Sequence, residues 1–253
     1  MHPAPPGDAA THDRHRRYRY FDLVMAAFGT VLLCSTLSGP AKGTRLTLPE
    51  GWYLPGIGGS IDFGAGNIFF PIGYIFGDVL TEVYGYARAR KVIWAGFGGM
   101  IFATVMTQVV LRLPASPAVE FNAIYDPALA VAFGSTWRIA VGSILAYLVG
   151  VFVNSYVLAR MKVAMAGRWL WMRTIGSTIV GQGVDTLIFY PIAFGQDWGE
   201  SLWTLMLFNW CFKVGVEVVF TPATYLVVGF LKRAEHEDFY DVDTDFTPFS
   251  LED

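Results

Sequence analysis

Six apolar stretches run through this 253-residue chain: Phe21 to Gly39, Asn67 to Tyr86, Val92 to Leu113, Leu129 to Val157, Thr174 to Phe194 and Leu202 to Leu231. Each is close to or above the ~20 residues needed to cross the hydrocarbon of a bilayer. No water reaches the peptide groups there, so such stretches must wind into helices. The expected fold class is therefore an all-α membrane protein with six transmembrane helices. Composition agrees, with 54% hydrophobic residues, 15% charged residues and a mean hydropathy of +0.43, well outside the soluble range. The fourth and sixth stretches are long enough to tilt or kink, and Pro222 marks a kink in the last.

Lys and Arg set the orientation. Arg14, Arg16, Arg17 and Arg19 precede the first span, Arg88, Arg90 and Lys91 follow the second, Arg160, Lys162, Arg168 and Arg173 follow the fourth, and Lys232 and Arg233 follow the sixth. The opposite connections hold only Lys42, Arg45 and Arg112. Both termini are expected on the cytoplasmic side of the membrane. Residues 1–19 read as a disordered cytoplasmic tail without a signal-peptide pattern, 20–233 as the six-helix domain, and 234–253 as an acidic tail too charged to bury a core. The connection Pro40 to Gly66 reads as a surface loop or a re-entrant lid, with Trp52 and Tyr53 resting at the interface.

The second span is unusual because it carries Asp78 and Glu82 in hydrocarbon, where a central carboxylate costs roughly 2.5 to 3.5 kcal/mol. Positions four apart share a helical face, so Tyr74, Asp78, Glu82 and Tyr86 form one stripe and Gly73, Gly77, Thr81 and Gly85 the adjoining one. The small stripe predicts a tight helix seam, within the bundle or across a homodimer. Glu82 either faces a cavity or pairs with Arg88 or Arg90 near the cytoplasmic surface.

In the fifth span Thr178, Gln182, Asp185 and Phe189 fall on one face, and in the sixth Asn209, Lys213 and Glu217 recur every four residues. A short connection makes these spans an antiparallel hairpin. Counting inward from their shared turn puts Asp185 and Lys213 at one depth, where an ion pair is expected. Arg138 and Asn154 complete the polar set in the fourth span; Arg138 snorkels outward or meets substrate.

Several classes lose ground on composition. Cys34 and Cys211 sit in apolar sequence as small hydrophobes, and His2, His12, His15 and His236 all lie in the tails, so no metal site or cofactor is implied within the spans. No nucleic-acid face is indicated. An intramembrane aspartyl protease using Asp78 and Asp185 is the enzyme-class rival, although Ile75 stands two residues before Gly77 and Val184 precedes Asp185, against the usual motifs of that class. A substrate-binding subunit of an ATP-driven importer is a third reading; no Walker motif is present in the chain itself.

The run Phe70-Pro-Ile-Gly-Tyr-Ile-Phe-Gly-Asp-Val-Leu-Thr-Glu-Val-Tyr-Gly-Tyr86, followed by Ala-Arg-Ala-Arg-Lys-Val-Ile-Trp94, resembles the signature of the queuosine precursor transporters within the vitamin uptake transporter family. The stretch Arg173-Thr-Ile-Gly-Ser-Thr-Ile-Val-Gly-Gln-Gly-Val-Asp-Thr-Leu-Ile-Phe189 resembles that family's second signature. The resemblance covers roughly Tyr20 to Arg233 and departs at Gly73, where a small hydroxyl residue is expected. It implies a stand-alone carrier, not an enzyme, that imports 7-cyano-7-deazaguanine and 7-aminomethyl-7-deazaguanine for salvage into the tRNA nucleoside queuosine. A carboxylate accepts adjacent N–H groups of a deazaguanine in bidentate fashion, a carbonyl needs a donor, and a flat ring stacks on an aromatic side chain. The expected substrate-binding residues are Asp78, Glu82, Tyr74, Gln182, Asp185, Phe189, Asn209 and Lys213.

Overall fold

The structure, a computed structural model, describes residues 18–38, 43–47, 49–51, 53, 59–64, 70–134, 137–195 and 201–250. It contains α1 (Phe21–Ser38), β1 (Gly43–Thr47), β2 (Ser60–Gly64), α2 (Phe70–Tyr84), α3 (Tyr86–Arg112), α4 (Asn122–Phe133), α5 (Trp137–Ala164), α6 (Leu170–Phe194) and α7 (Ser201–Glu235). The two strands form an antiparallel hairpin in which Gly43 pairs with Gly64 and Thr47 with Ser60. This hairpin adds a small strand element, within the 40–66 connection, to the expected all-helical class. Trp52 lies outside the described residues, while Tyr53 is exposed.

Polarity is distributed inside out. Ile101, Phe102, Val105, Met106, Val109 and Val110 on α3 are exposed, and α4 buries none of its residues. Asp78, Glu82, Asn154, Lys162, Arg173 and Glu217 are buried. An apolar exterior this continuous would aggregate in water and suits lipid. Among the described residues, three helices are individually long and apolar enough to cross a membrane: Tyr86–Arg112, Arg138–Ala164 and Leu202–Glu235. Phe21–Ser35 is a shorter apolar helix. The chain is thus a multi-pass membrane protein. At a rise of about 1.5 Å per residue, α2 is only about 22 Å long, short of the hydrocarbon thickness.

Two span boundaries differ from expectation. The fourth stretch begins at Trp137 rather than Leu129, because Leu129 belongs to α4, which ends at Gly134. Arg88, Arg90 and Lys91 are not in a loop but in the opening turns of α3. Gly85 makes that junction abrupt: at φ 86° it lies in the left-handed region open to glycine, and a side chain there would run into the Phe239 ring.

The acidic C-terminal segment, expected to be solvated, packs on the bundle in its described residues 234–250. Arg90 donates to the carbonyls of Asp245 and Thr247 at 2.8 and 2.7 Å, and Trp94 Nε1 to that of Pro248 at 2.7 Å. The backbone N–H of Tyr86, at the start of α3, donates to both Asp241 oxygens at 3.0 and 3.1 Å. Glu235 does the same ahead of α1, accepting from the N–H groups of Arg19 and Tyr20 at 3.0 and 2.6 Å. The physical reason is that helix N-termini present orphan N–H groups and a positive dipole end, which carboxylates satisfy. Two of the acids that look like a solvation signal, Glu235 and Asp241, are helix caps. Residues 1–17 and 251–253 lie outside the described residues.

Candidate functional site

α2 packs against α1, α3, α5 and α7, so its polar face looks into the bundle. The Gly73–Gly85 stripe is not the tight seam: no atom of the described residues lies within 4 Å of where a Cβ would sit at Gly73 or Gly77. Both glycines are buried within the chain, which withholds them from a second copy. The close approach is between α5 and α6. A Cβ on Gly181 would come within 2.6 Å of Asn154 Cβ, and one on Gly150 within 2.9 Å of Asp185 Cβ and 3.1 Å of the Tyr74 hydroxyl. These two glycines bring Asn154, Asp185 and Tyr74 together.

Three polar tiers follow, one helical turn apart along α2. At the Tyr74 tier, Lys213 of α7 donates to Asp185 of α6 at 2.6 Å, both side chains under 10% exposed. This is the ion pair expected from the hairpin register. Tyr74 and Tyr190, both buried, lie near Asp185. Gln182, one turn inward on α6, is buried, and its Oε1 has no hydrogen-bond partner among the described residues. Asn209 is buried and donates to the Leu205 carbonyl of its own helix. Phe189 stands edge-on to Tyr190 and Phe194 in a small aromatic cluster with Leu202 and Met206.

At the second tier, Asn154 of α5 donates to Asp78 Oδ1 at 2.6 Å. Asp78 Oδ2, Asn154 Oδ1 and both carboxylate oxygens of Glu217 on α7 are buried without a hydrogen-bond partner among the described residues. Glu217 lies on α7, which packs against α2, close enough to act on the charge of Asp78.

The third tier is ionic. Glu82, fully buried, meets Arg173 at 3.0 Å, Lys232 at 2.6 Å and Lys162 at 3.5 Å. Asp238 of the tail meets Lys162 at 2.5 Å and Lys232 at 2.8 Å. Lys162 also donates to the Glu82 carbonyl at 2.6 Å, closing the C-terminal end of α2 as cations do. Burial opposes the charge on Asp238, but Lys162 and Lys232 prevail and hold its carboxyl below the ordinary range. Glu82 therefore pairs, as one expectation had it, yet with Arg173, Lys162 and Lys232 rather than Arg88 or Arg90. Arg88 instead donates to the Tyr84 carbonyl at 3.2 Å. Arg138 is half-buried, and its Nε donates to the Ile192 carbonyl at 2.9 Å, one of the last carbonyls of α6.

Asn154 and Glu217 are the residues that spacing alone undervalued. Glu217 fell on a polar stripe and Asn154 in the polar set of the fourth span, but the bond from Asn154 to Asp78 depends on helix packing that no single span reveals. The two aspartates of the protease reading have separate partners, Asn154 for Asp78 and Lys213 for Asp185.

Residues 64–227 match the family model described as "Putative vitamin uptake transporter". The chain belongs to the vitamin uptake transporter family. It is 34% identical over 163 residues to the "Probable queuosine precursor transporter" of Bacillus subtilis (strain 168), covering 63% of this chain and 69% of that one. It is 30% identical over 168 residues to the "Queuosine precursor transporter" of Escherichia coli (strain K12), covering 64% and 71%. A third relative, from Haemophilus influenzae, carries the same name as the first at 27% identity over 190 residues, covering 71% and 76%. No solved structure matches the chain. Family membership makes the polar tiers features of a transporter rather than of an enzyme.

Proposed function

We propose that this chain imports queuosine precursors, 7-cyano-7-deazaguanine and 7-aminomethyl-7-deazaguanine, across the bacterial inner membrane, through a bundle of six spans with both termini in the cytoplasm. The names borne by the relatives suggest the substrate class. The observation that carries the reading is the Asp185–Lys213 pair, which sets an acceptor beside a donor in a buried site. A guanine-type pairing edge presents two adjacent N–H donors beside a carbonyl acceptor. The carboxylate takes the first in charge-assisted bonds and the ammonium takes the second. Tyr74 supplies a flat wall, Gln182 and Asn209 further polar contacts, and Phe189 closes the outer side. Glu82 is assigned to the cytoplasmic ionic tier and not to the substrate.

Short and interrupted helices support the six-span arrangement. α2 ends at Gly85, and α6 and α7 carry Pro191 and Pro222 internally, as helices beside a cavity tolerate. In α7 the hydroxyls of Thr221 and Thr224 bond back to the Glu217 and Phe220 carbonyls.

The test is thermal unfolding of the purified full chain with guanine and each deazaguanine. A ligand at 100 times its Kd stabilises the folded state by about 2.7 kcal/mol, so both precursors should raise Tm and guanine should do so less. Asp185→Asn should abolish the shift. Equal silence from all three ligands would end the substrate assignment. Uptake into liposomes holding only this chain tests the carrier against the ATP-driven subunit, which would stay inert alone.

A further inference from the structure

The second tier has no place in the binding of a deazaguanine edge, and its charges do not balance. The cations of the inner bundle are committed elsewhere: Arg173, Lys162 and Lys232 surround Glu82, and Lys213 holds Asp185. Asp78 and Glu217 are both fully buried. Asp78 receives one bond, from the neutral amide of Asn154, and Glu217 receives none among the described residues. Two carboxylates out of water on helices that pack together cannot both stay ionised without a cation between or beside them.

From this geometry we infer that Asp78 and Glu217 form an exchangeable proton site, with Asn154 fixing the Asp78 carboxylate, through which one proton enters with each substrate molecule. The proton arrives from the outer side, sits on one of the two carboxylates, is shared with the other, and leaves to the cytoplasm after the substrate. No bond in the substrate is made or broken.

The groups around the pair identify what would sense pH. On α2 the neighbours are Tyr74 one turn above and Glu82 one turn below. α5 presents Asn154, Tyr147 and, at the inner end, Lys162. α6 brings Gln182, Asp185 and Arg173, and α7 adds Lys213 above Glu217 and Lys232 at its end. Among these, Asp78 and Glu217 alone are acids without a cationic partner. A proton suits the site better than a metal ion, since no group of three or more His, Cys, Asp or Glu side chains is gathered for a metal among the described residues.

The proton-holding half stands without the substrate assignment; the coupling half rests on the import proposed above. For the first, infrared titration of the full chain in lipid nanodiscs reads a protonated-carboxyl band directly. The wild type should show the band near pH 7, where an unperturbed carboxylate would have lost its proton. Glu217→Gln and Asp78→Asn should each remove or shift it. A wild-type spectrum without the band at neutral pH overturns the proposal, and that measurement needs no variant to fold. For the second, 7-cyano-7-deazaguanine accumulation is followed in liposomes under imposed gradients. A tenfold inward proton gradient should raise accumulation by up to about tenfold for one proton per substrate, with internal acidification. Glu217→Gln should lose the response and Glu217→Asp should restore part of it. Uptake that ignores the proton gradient, or follows a sodium gradient instead, overturns coupling. If neither deazaguanine enters at all, the substrate reading fails while the infrared band still decides the site.

Discussion

Glu82 and Asp78 stand one turn apart on α2, equally buried, and live in opposite electrostatic worlds. Glu82 has three cations within 3.5 Å, while Asp78 has one amide and a nearby acid. A carboxylate surrounded by compensating charge is a fastener, because removing it strands the cations. One left uncompensated is a standing cost that persists only where something binds. Burial depth alone therefore does not identify a transport residue; the balance of charge around it does.

The sharpest way to break this contrast is Glu82→Gln. Stripping a buried cluster of its central anion should destabilise the protein by about 3–5 kcal/mol, read as a large fall in Tm in detergent. A change below about 1 kcal/mol would mean that the inner tier is not a fastener. Next comes Gly181→Ala, where the added methyl presses on Asn154 Cβ at 2.6 Å. Overpacking should cost about 1–3 kcal/mol and disturb the bond from Asn154 to Asp78 as well. Asp241→Ala removes the cap on α3 and should cost about 0.5–2 kcal/mol, measurable by thermal unfolding and by faster proteolysis of the C-terminal segment.

A smaller effect is expected from pH at the tail. Because Lys162 and Lys232 hold the Asp238 carboxyl below the ordinary range, its contribution is present above the unfolded value of about 4. It is lost as pH falls through the lower folded value. Tail release on acidification, followed by limited proteolysis, should therefore be weaker in Asp238→Asn. The smallest stability change belongs to Asp78→Asn, which keeps an acceptor for Asn154 and removes only the uncompensated acid, although its transport should fall well over tenfold. Normal uptake by this variant would dissolve the distinction between the two acids.

Much of this arrangement could be read along the chain. The Asp185–Lys213 pair followed from counting along a helical hairpin, since both residues lie on one short-range unit whose register the connection fixes. The α5–α6 contact was harder. Gly150 and Gly181 have ordinary helical neighbours, and which glycines touch depends on how whole helices cross. Asp78 and Glu217 are 139 positions apart, so no local period links them. The tail misled for a different reason: its acids carry the composition of a solvated segment, and their targets, the first turns of α1 and α3, are visible only once those turns are brought beside them. The Arg88–Lys91 run likewise resembles a loop until the tail carbonyls that receive Arg90 are in place.

The clasp of Glu235 on the start of α1 has a consequence for biosynthesis. Tyr20 and the carboxylate that receives its N–H are separated by 215 positions, so α1 waits for the far end of α7 to be made before its start is capped. A nascent chain halted before α7 is complete would enter the bilayer with that end uncapped. Shortened products should accordingly be recognised by quality-control proteases at the front of the molecule as well as at the cut.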